Sequence, residues 1–398
     1  MLFKGLKVID CGSFIAAPVA ATMLGDFGAD VIKVEPPGAG DSYRTLWSAP
    51  GMPVSDQPYN WMLDNRGKRS LALDLRQPEG QEVLHRLAAG ADVFITNYPL
   101  TVRKKLGLDA ARIRALNPRL VYASFTGYGE TGAEVNKPGF DLTAYWARSG
   151  LMATVRTDAN TPPARGVTGM GDHPSGTSLF AAILLGLLQR ERTGQGTQVG
   201  SSLLANGLWS NGVMAQAALC GGKYVPRPPR DQLPNALVGY YRCGDDRWFV
   251  LVSSNEERDW PLMAKCLEQP ELIDDPRFAT QADRYAHSRE LIAIFDAAFA
   301  SRSRDEWRRR LDEAGIVFEC IAELADIPHD TQMREAGVVV PFEDDGAPTI
   351  TSPMYVEGAP KRPPRKPAAL GQHNEELLRE AGYDDAAIAR LRAARVVA

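Results

Sequence analysis

From residue 6 to residue 125, short runs of β-branched and aliphatic residues alternate with segments whose apolar positions recur at helical spacing. The runs predict strands over 6–10, 30–35, 71–75, 92–97 and 120–125, and the helical segments fall at 16–27, 78–89 and 110–116. In the second of these helices Val83, Leu84 and Leu87 form one stripe, and Pro78 sits in the first turn, where proline is tolerated. The Gly-Ala-Asp-Val segments beginning at Gly28 and Gly90 each close a helix and open a strand. Such alternation predicts an α/β protein with a parallel, doubly wound sheet, right-handed crossovers and a ligand site at the carboxyl ends of the strands.

Beyond Phe140 the pattern is mostly helical as far as Ala218, and 174–190 is apolar along nearly its whole length, which predicts a buried core helix. A Pro-, Arg- and Lys-rich stretch at 224–234 marks a linker. After it, 240–243 and 248–252 flank Gly244-Asp245-Asp246 as a hairpin, and helical patterns run on to 304–314. A second Pro-rich stretch at 358–367 precedes helices near 374–381 and 385–393. The expected organisation is a large domain beginning with 1–222, a smaller α+β domain over 225–325, and 326–398 as a linker and C-terminal return to the large domain.

Length and charge narrow the classes. A chain of 398 residues is long for one core, and 44% hydrophobic with 24% charged residues is ordinary for a globular protein. A net charge of -4 argues against nucleic acid as the partner. Cys11, Cys220, Cys243, Cys266 and Cys320 are scattered without a CxxC pair, which suits a reducing, cytoplasmic setting and no metal. The N-terminus lacks a secretory pattern, and the longest apolar stretch, 178–188, is shorter than the ~20 residues that span a bilayer. A soluble protein with no membrane partner is expected.

The run Gly169-Met170-Gly171-Asp172-His173-Pro174-Ser175-Gly176 carries the most chemistry. Its glycines admit close approach of a backbone or ligand, and Pro174 opens the apolar helix, so Asp172 stands at a helix N-terminus. There the dipole favours an ionised, nucleophilic carboxylate, and free N–H groups can stabilise an oxyanion. A plain N-cap satisfies the same pattern. The expected strand-end loops also gather Arg44, Arg66, Lys68, Arg69, Arg76, Arg103, Lys104, Lys105 and Lys137, which suit a phosphorylated ligand or simply a solvated surface. A dinucleotide site is not expected: the turn from Cys11 to Pro18 has no GxGxxG, and neither a P-loop nor a GxSxG occurs. The five histidines form no HxxxH or HExxH pair; His85 reads as structural, His173 as a neighbour of the site, and His373 as a packing or capping residue.

Several segments, in order, resemble the class III (CaiB/BaiF-type) CoA-transferases, the group of formyl-CoA, carnitine and bile-acid CoA-transferases. They are Leu6-Lys7-Val8-Ile9-Asp10, Pro18, the run from Gly28 to Glu35, and Gly40-Asp41 with Arg44. Asn65-Arg66-Gly67-Lys68-Arg69-Ser70, Leu73-Asp74-Leu75, Asn97 and Gly171-Asp172 with Gly176 follow. Leu370-Gly371-Gln372-His373, Leu377 and Gly382-Tyr383 complete the set, so the resemblance covers nearly the whole chain.

The resemblance implies a Rossmann-like large domain built from both ends of the chain, a small α+β domain, and an interlocked homodimer crossed by the Pro-rich connectors. It implies that Asp172 is the nucleophile, carrying first an acyl group as an anhydride and then CoA as a thioester. Matching positions for CoA contact are Phe14, Ile15, Ala16, Leu73, Arg76, Asn97, Tyr98, Lys105 and Lys137. CoA thioesters and carboxylic acids are then substrates, with no prosthetic group. The chain departs from the family pattern at Ala17, often Gly, and Lys105, often Arg; a glycine-rich loop has no match at Ser253-Ser254-Asn255-Glu256. The 2-methylacyl-CoA racemases resemble this family too, but they place a histidine in Gly-His-Asp where this chain has Gly139-Phe140-Asp141. A phenyl ring moves no proton, which favours transfer over racemisation. A non-catalytic CoA-binding protein is the reading from another class.

Overall fold

The structure, a computed structural model, describes residues 1–397. Six strands, β1 (Lys7–Cys11), β2 (Asp30–Glu35), β3 (Arg69–Ala72), β4 (Val93–Thr96), β5 (Val121–Thr126) and β6 (Gln198–Ser202), form one sheet of order β3-β2-β1-β4-β5-β6. All neighbouring pairs are parallel. The helices between them are α1 (Ala16–Asp26), α2 (Tyr59–Asp64), α3 (Pro78–Ala89), α4 (Leu100–Lys105), α5 (Ala110–Leu116), α6 (Leu151–Thr154) and α7 (Asp172–Thr193). Strand order reverses between β1 and β4, and the crevice beyond their carboxyl ends is where such sheets bind ligands.

Successive strand residues point to opposite faces, and this period sorts the core into two layers. Val8, Val31, Val93 and Val121 pack in one layer with residues of α1 and α7. Ile9, Ile32, Phe94 and Tyr122 pack in the other, with Val83, Leu84 and Leu87 of α3 and with Leu377, Leu378, Ile388 and Leu391 from the end of the chain. The return of the C-terminus is tied down by polar contacts. Nδ1 of His373 accepts from the Ser70 amide at 3.1 Å, and Leu73 bridges Val397. α1 and α7 lie so close that a Cβ at Gly176 would meet the Ala16 carbonyl oxygen at 2.7 Å, so only glycine fits there.

The chain divides into two compact units: 1–153, 165–221 and the segment from Thr331 onward in one, and 154–164 with 222–330 in the other. The second unit holds an antiparallel sheet of β7 (Val238–Arg242), β8 (Trp248–Val252) and β9 (Phe318–Cys320). Its core centres on Trp307, fully buried, whose indole N–H donates to the Phe299 carbonyl at 2.8 Å. Asn255 caps the helix Glu256–Cys266 by accepting from the Arg258 amide.

Two expectations from the sequence need correction. β6 lies within the stretch read as helical; its residues Gln-Val-Gly-Ser-Ser carry no strand pattern, and pairing with β5 at the sheet edge supplies what the pattern lacks. α7 is not buried all round. Leu179, Phe180 and Ile183 face the core, but Leu185 is 67% exposed and Leu188 is also open. Among the described residues no helix is long and apolar enough to cross a membrane, and no cluster of His, Cys, Asp or Glu could hold a metal.

Candidate active site

A cavity of about 500 Å³ opens beyond the strand ends of the first unit. The loop after β1 contributes Ser13, Phe14, Ile15 and Ala16; the loop after β4 contributes Asn97 and Tyr98; the end of β5 contributes Phe125 and Thr126. Asp141, Trp146 and Asp172 close the other side. The walls are largely apolar, so the few polar groups on them stand in a poorly screened setting.

The β1 loop is held by buried charge. Asp41 accepts from the Ser13 hydroxyl at 3.0 Å and the Phe14 amide at 3.4 Å, and pairs through its other oxygen with Lys33 at 3.0 Å. Asn97 brackets Ser13, taking its amide and donating to its carbonyl, each at 2.8 Å. Asn97 therefore shapes the loop with the same atoms it would offer a ligand. Phe14 adopts φ 62, unusual for a residue with a Cβ, and its ring meets Phe140 edge-on at 6.4 Å. Behind the loop, Lys68 binds Asp10, two carbonyls and Asn65, and burial pushes it down to about 8.

Asp172 is the first residue of α7 and lines the cavity. Burial pushes its carboxyl up to about 7; Asp141 and Asp64 add to that, and His173 opposes it. Asp141 opens a short π-helix (Asp141–Ala147), an element common at functional sites. Its carboxylate accepts from the Gly171 amide at 3.0 Å and faces those of Asp172 and Gly169, while burial holds its own pKa above the usual range. Most of the N–H groups expected to be free at the start of α7 are taken up. The His173 amide donates to Gly169 O, the Ser175 amide to Gly171 O, the Asp172 amide faces Asp141, and Pro174 has none.

His173 also points into this cluster. Its Nδ1 lies 2.9 Å from the Gly169 carbonyl oxygen and its Nε2 lies 3.0 Å from Oδ1 of the buried Asp64, whose Oδ2 accepts from the Tyr43 hydroxyl at 2.6 Å. Asp64 and Tyr43 carry no signal in the sequence that marks them as site residues, whereas Asp141 stands in the Gly139-Phe140-Asp141 segment that the resemblance brings to notice. Asp64 lies 109 residues from His173, and only the folding of α2 against α7 joins them.

Phe14, Ile15, Ala16, Asn97 and Tyr98 line the cavity, whereas Leu73, Arg76, Lys105 and Lys137 lie outside it. Leu73 is buried; Arg76 is exposed and paired with Asp74; Lys105 is exposed at the end of α4; Lys137 is exposed and paired with Glu134. Most of the other strand-end cations are committed to the fold. Arg44 pairs with Glu35 and stacks on Trp61, Arg66 pairs with Asp26, Arg69 with Asp30, Glu376 and Glu380, and Arg103 bonds Ser124 and Phe125 O.

The family model described as CoA-transferase family III matches residues 3–374. The chain is 32% identical, over all of both chains, to (R)-2-hydroxy-4-methylpentanoate CoA-transferase of Clostridioides difficile. It is also 32% identical to succinyl-CoA:glutarate CoA-transferase of Mus musculus, over 99% of this chain and 90% of that one. Among solved structures, a CAIB/BAIF family protein from Brucella suis superposes with a TM-score of 0.85 at 30% identity, covering 95% of this chain and 98% of that chain.

Proposed function

The chain belongs to CoA-transferase family III, and from that premise we propose that Asp172 is the nucleophile of an acyl-CoA:carboxylate CoA-transferase. The observation that carries the proposal is the Asp172 carboxylate opening on the strand-end cavity, set against Asp141 in surroundings that make it more basic than a surface aspartate. A more basic carboxylate is a stronger nucleophile once ionised.

In the first step an Asp172 oxygen attacks the thioester carbonyl carbon of the donor, and the C–S bond breaks to release CoA thiolate. The thiolate attacks the Asp172 carbonyl of the mixed anhydride, freeing the donor acid as its carboxylate and leaving an aspartyl-CoA thioester. The acceptor carboxylate then attacks that thioester, and CoA thiolate leaves again. Attack of the thiolate on the acceptor's acyl carbon yields the new CoA thioester and restores Asp172. No net proton is taken up or released. Covalent catalysis thus divides one difficult exchange into steps of similar difficulty, and bound substrate filling the apolar cavity would displace water from the anhydride.

Because the His173 and Ser175 amides are taken up and Pro174 has none, we assign the thioester oxygen to the start of α1. This helix has no side-chain cap, and Ile15 and Ala16 at its start line the cavity. Phe14, Asn97 and Tyr98 would flank the pantetheine, with Arg76, Lys105 and Lys137 reaching the phosphates and Leu73 contributing backbone only. CoA enters as substrate, not as a resident group. The open apolar side chains Leu185, Leu188, Trp209 and Val213 support a homodimer that covers them. The test is trapping: enzyme incubated with acyl-CoA and then hydroxylamine should carry a hydroxamate on Asp172 by peptide mass spectrometry. An unmodified Asp172 in active enzyme would overturn the proposal.

A further inference from the structure

We propose that His173 is a positioning residue for the nucleophile: clamped as a doubly donating imidazolium between Asp64 and the Gly169 carbonyl, it keeps a positive charge beside Asp172 and so keeps that carboxylate ionised. The inference rests on the reading of Asp172 as nucleophile and deepens it.

The geometry sets the protonation of the ring. The Gly169 carbonyl can only accept, so Nδ1 at 2.9 Å must carry a hydrogen. Nε2 faces the Asp64 carboxylate at 3.0 Å. Tyr43, buried and held far above the ordinary phenol range by burial and by Asp64, keeps its proton and donates it to the other Asp64 oxygen at 2.6 Å. A carboxylate already accepting a phenol hydrogen favours the ionised form, so the proton between Asp64 and His173 resides on the ring. Burial opposes this charge, but the Asp64 contacts and Gly169 O lift the imidazole to about 9. Tyr43 and Asp64 are themselves fixed. The Tyr43 amide donates to Asp41, the Tyr43 carbonyl accepts from Asn60 at 2.6 Å, and the Asp64 carbonyl accepts from Lys68 at 2.9 Å.

Three charged groups act on the Asp172 carboxyl, and Arg165, which lines the same cavity, is not among them. Burial raises its pKa most, and Asp141 on the π-helix and Asp64 at the end of α2 add to that, with Asp141 the stronger; His173 lowers it, and by more than Asp64 raises it. Tyr43 is neutral, and Lys68 lies behind Asp64, bound to its carbonyl. His173 is the one cation in the set that acts on the nucleophile. Its side chain remains 40% exposed, so water moderates the effect to the low end of what a neighbouring charge does, about one pH value.

The experiment is the pH dependence of exchange in wild type and His173→Gln, with acetyl-CoA as donor and succinate as acceptor, run beside hydroxylamine trapping. The expected result is an acid limb raised by about one pH value in His173→Gln, hence a rate about tenfold lower well below the limb and a deficit that shrinks as pH rises. A purely structural role would lower the rate equally at all pH values, and an unmoved limb with Asp172 still trapped overturns the role of His173. Absence of the Asp172 hydroxamate in active wild-type enzyme overturns the nucleophile reading instead. Should His173→Gln fail to fold, nitrogen-15 NMR of histidine-labelled wild type decides. One of the five histidines should keep both ring N–H groups at about pH 8, well above the ordinary His range, and none doing so overturns the proposal.

Discussion

Replacing the Asp172 carboxylate by an amide, Asp172→Asn, should abolish exchange and at the same time stabilise the fold at alkaline pH. In the folded chain the carboxyl titrates at about 7, against 3.8 for an unperturbed aspartate. Between those values the folded state holds a proton that the unfolded chain has released, so stability drawn from this group declines as pH rises, and above about 7 the full penalty applies. Each tenfold change in proton affinity is worth about 1.4 kcal/mol, which places the penalty near ~4 kcal/mol for a sealed group. Asp172 opens on the cavity, and water there trims the figure to about 2–3 kcal/mol. Urea unfolding followed by circular dichroism across the pH range reads the difference directly. The two proteins should converge towards about pH 4, and the variant should be about 2–3 kcal/mol more stable at about pH 8. Equal stability at alkaline pH would refute the claim that the fold holds this carboxylate ionised at an energetic cost.

Three further outcomes follow from the same geometry. In wild type, kcat/KM should fall tenfold per pH value below about 7 as Asp172 takes up its proton, and a profile flat to about pH 5 would contradict the assigned environment. Gly171→Ala should cost about 1–3 kcal/mol and reduce exchange severely: its backbone φ of -97 suits alanine, but the new Cβ would lie 2.3 Å from Asp141 Oδ1 and 2.5 Å from the Tyr145 ring. Thermal unfolding and steady-state rates check both parts. Lys68→Met should cost about 3–5 kcal/mol by denaturant unfolding, because it takes from the fully buried Asp10 the cation bonded to its Oδ2 and leaves only the Gly12 amide and the charge of Lys33.

The core elements were legible because the information is local. α3 and α5 run over the residues their apolar spacing marks, and β2 falls on its β-branched run. The N-terminal placing of Asp172 followed from its flanking glycines and from Pro174, since helix starts have their own chemistry. β6 was not legible, because an edge strand of Gln, Gly and Ser owes its conformation to the neighbour it pairs with. Nor was the open face of α7. An apolar side chain reads the same in sequence whether its own chain covers it or not, and Leu185 is not covered.

What the sequence by itself determined is the α/β order of elements, the family resemblance and the identity of the one carboxylate at a glycine-flanked helix start. What only the tertiary structure decided is the chemical state of that carboxylate. Its basicity comes first from burial and then from Asp141 reaching across from the π-helix, and His173 meets Asp64 and Tyr43 from segments more than a hundred residues earlier. It also shows that the His173 and Ser175 amides at the start of α7 already have backbone partners, which the sequence does not reveal. The physical reason is one of range. Secondary structure follows from neighbours along the chain, whereas ionisation answers to every charge and every missing water within a few ångströms, whichever part of the chain supplies it.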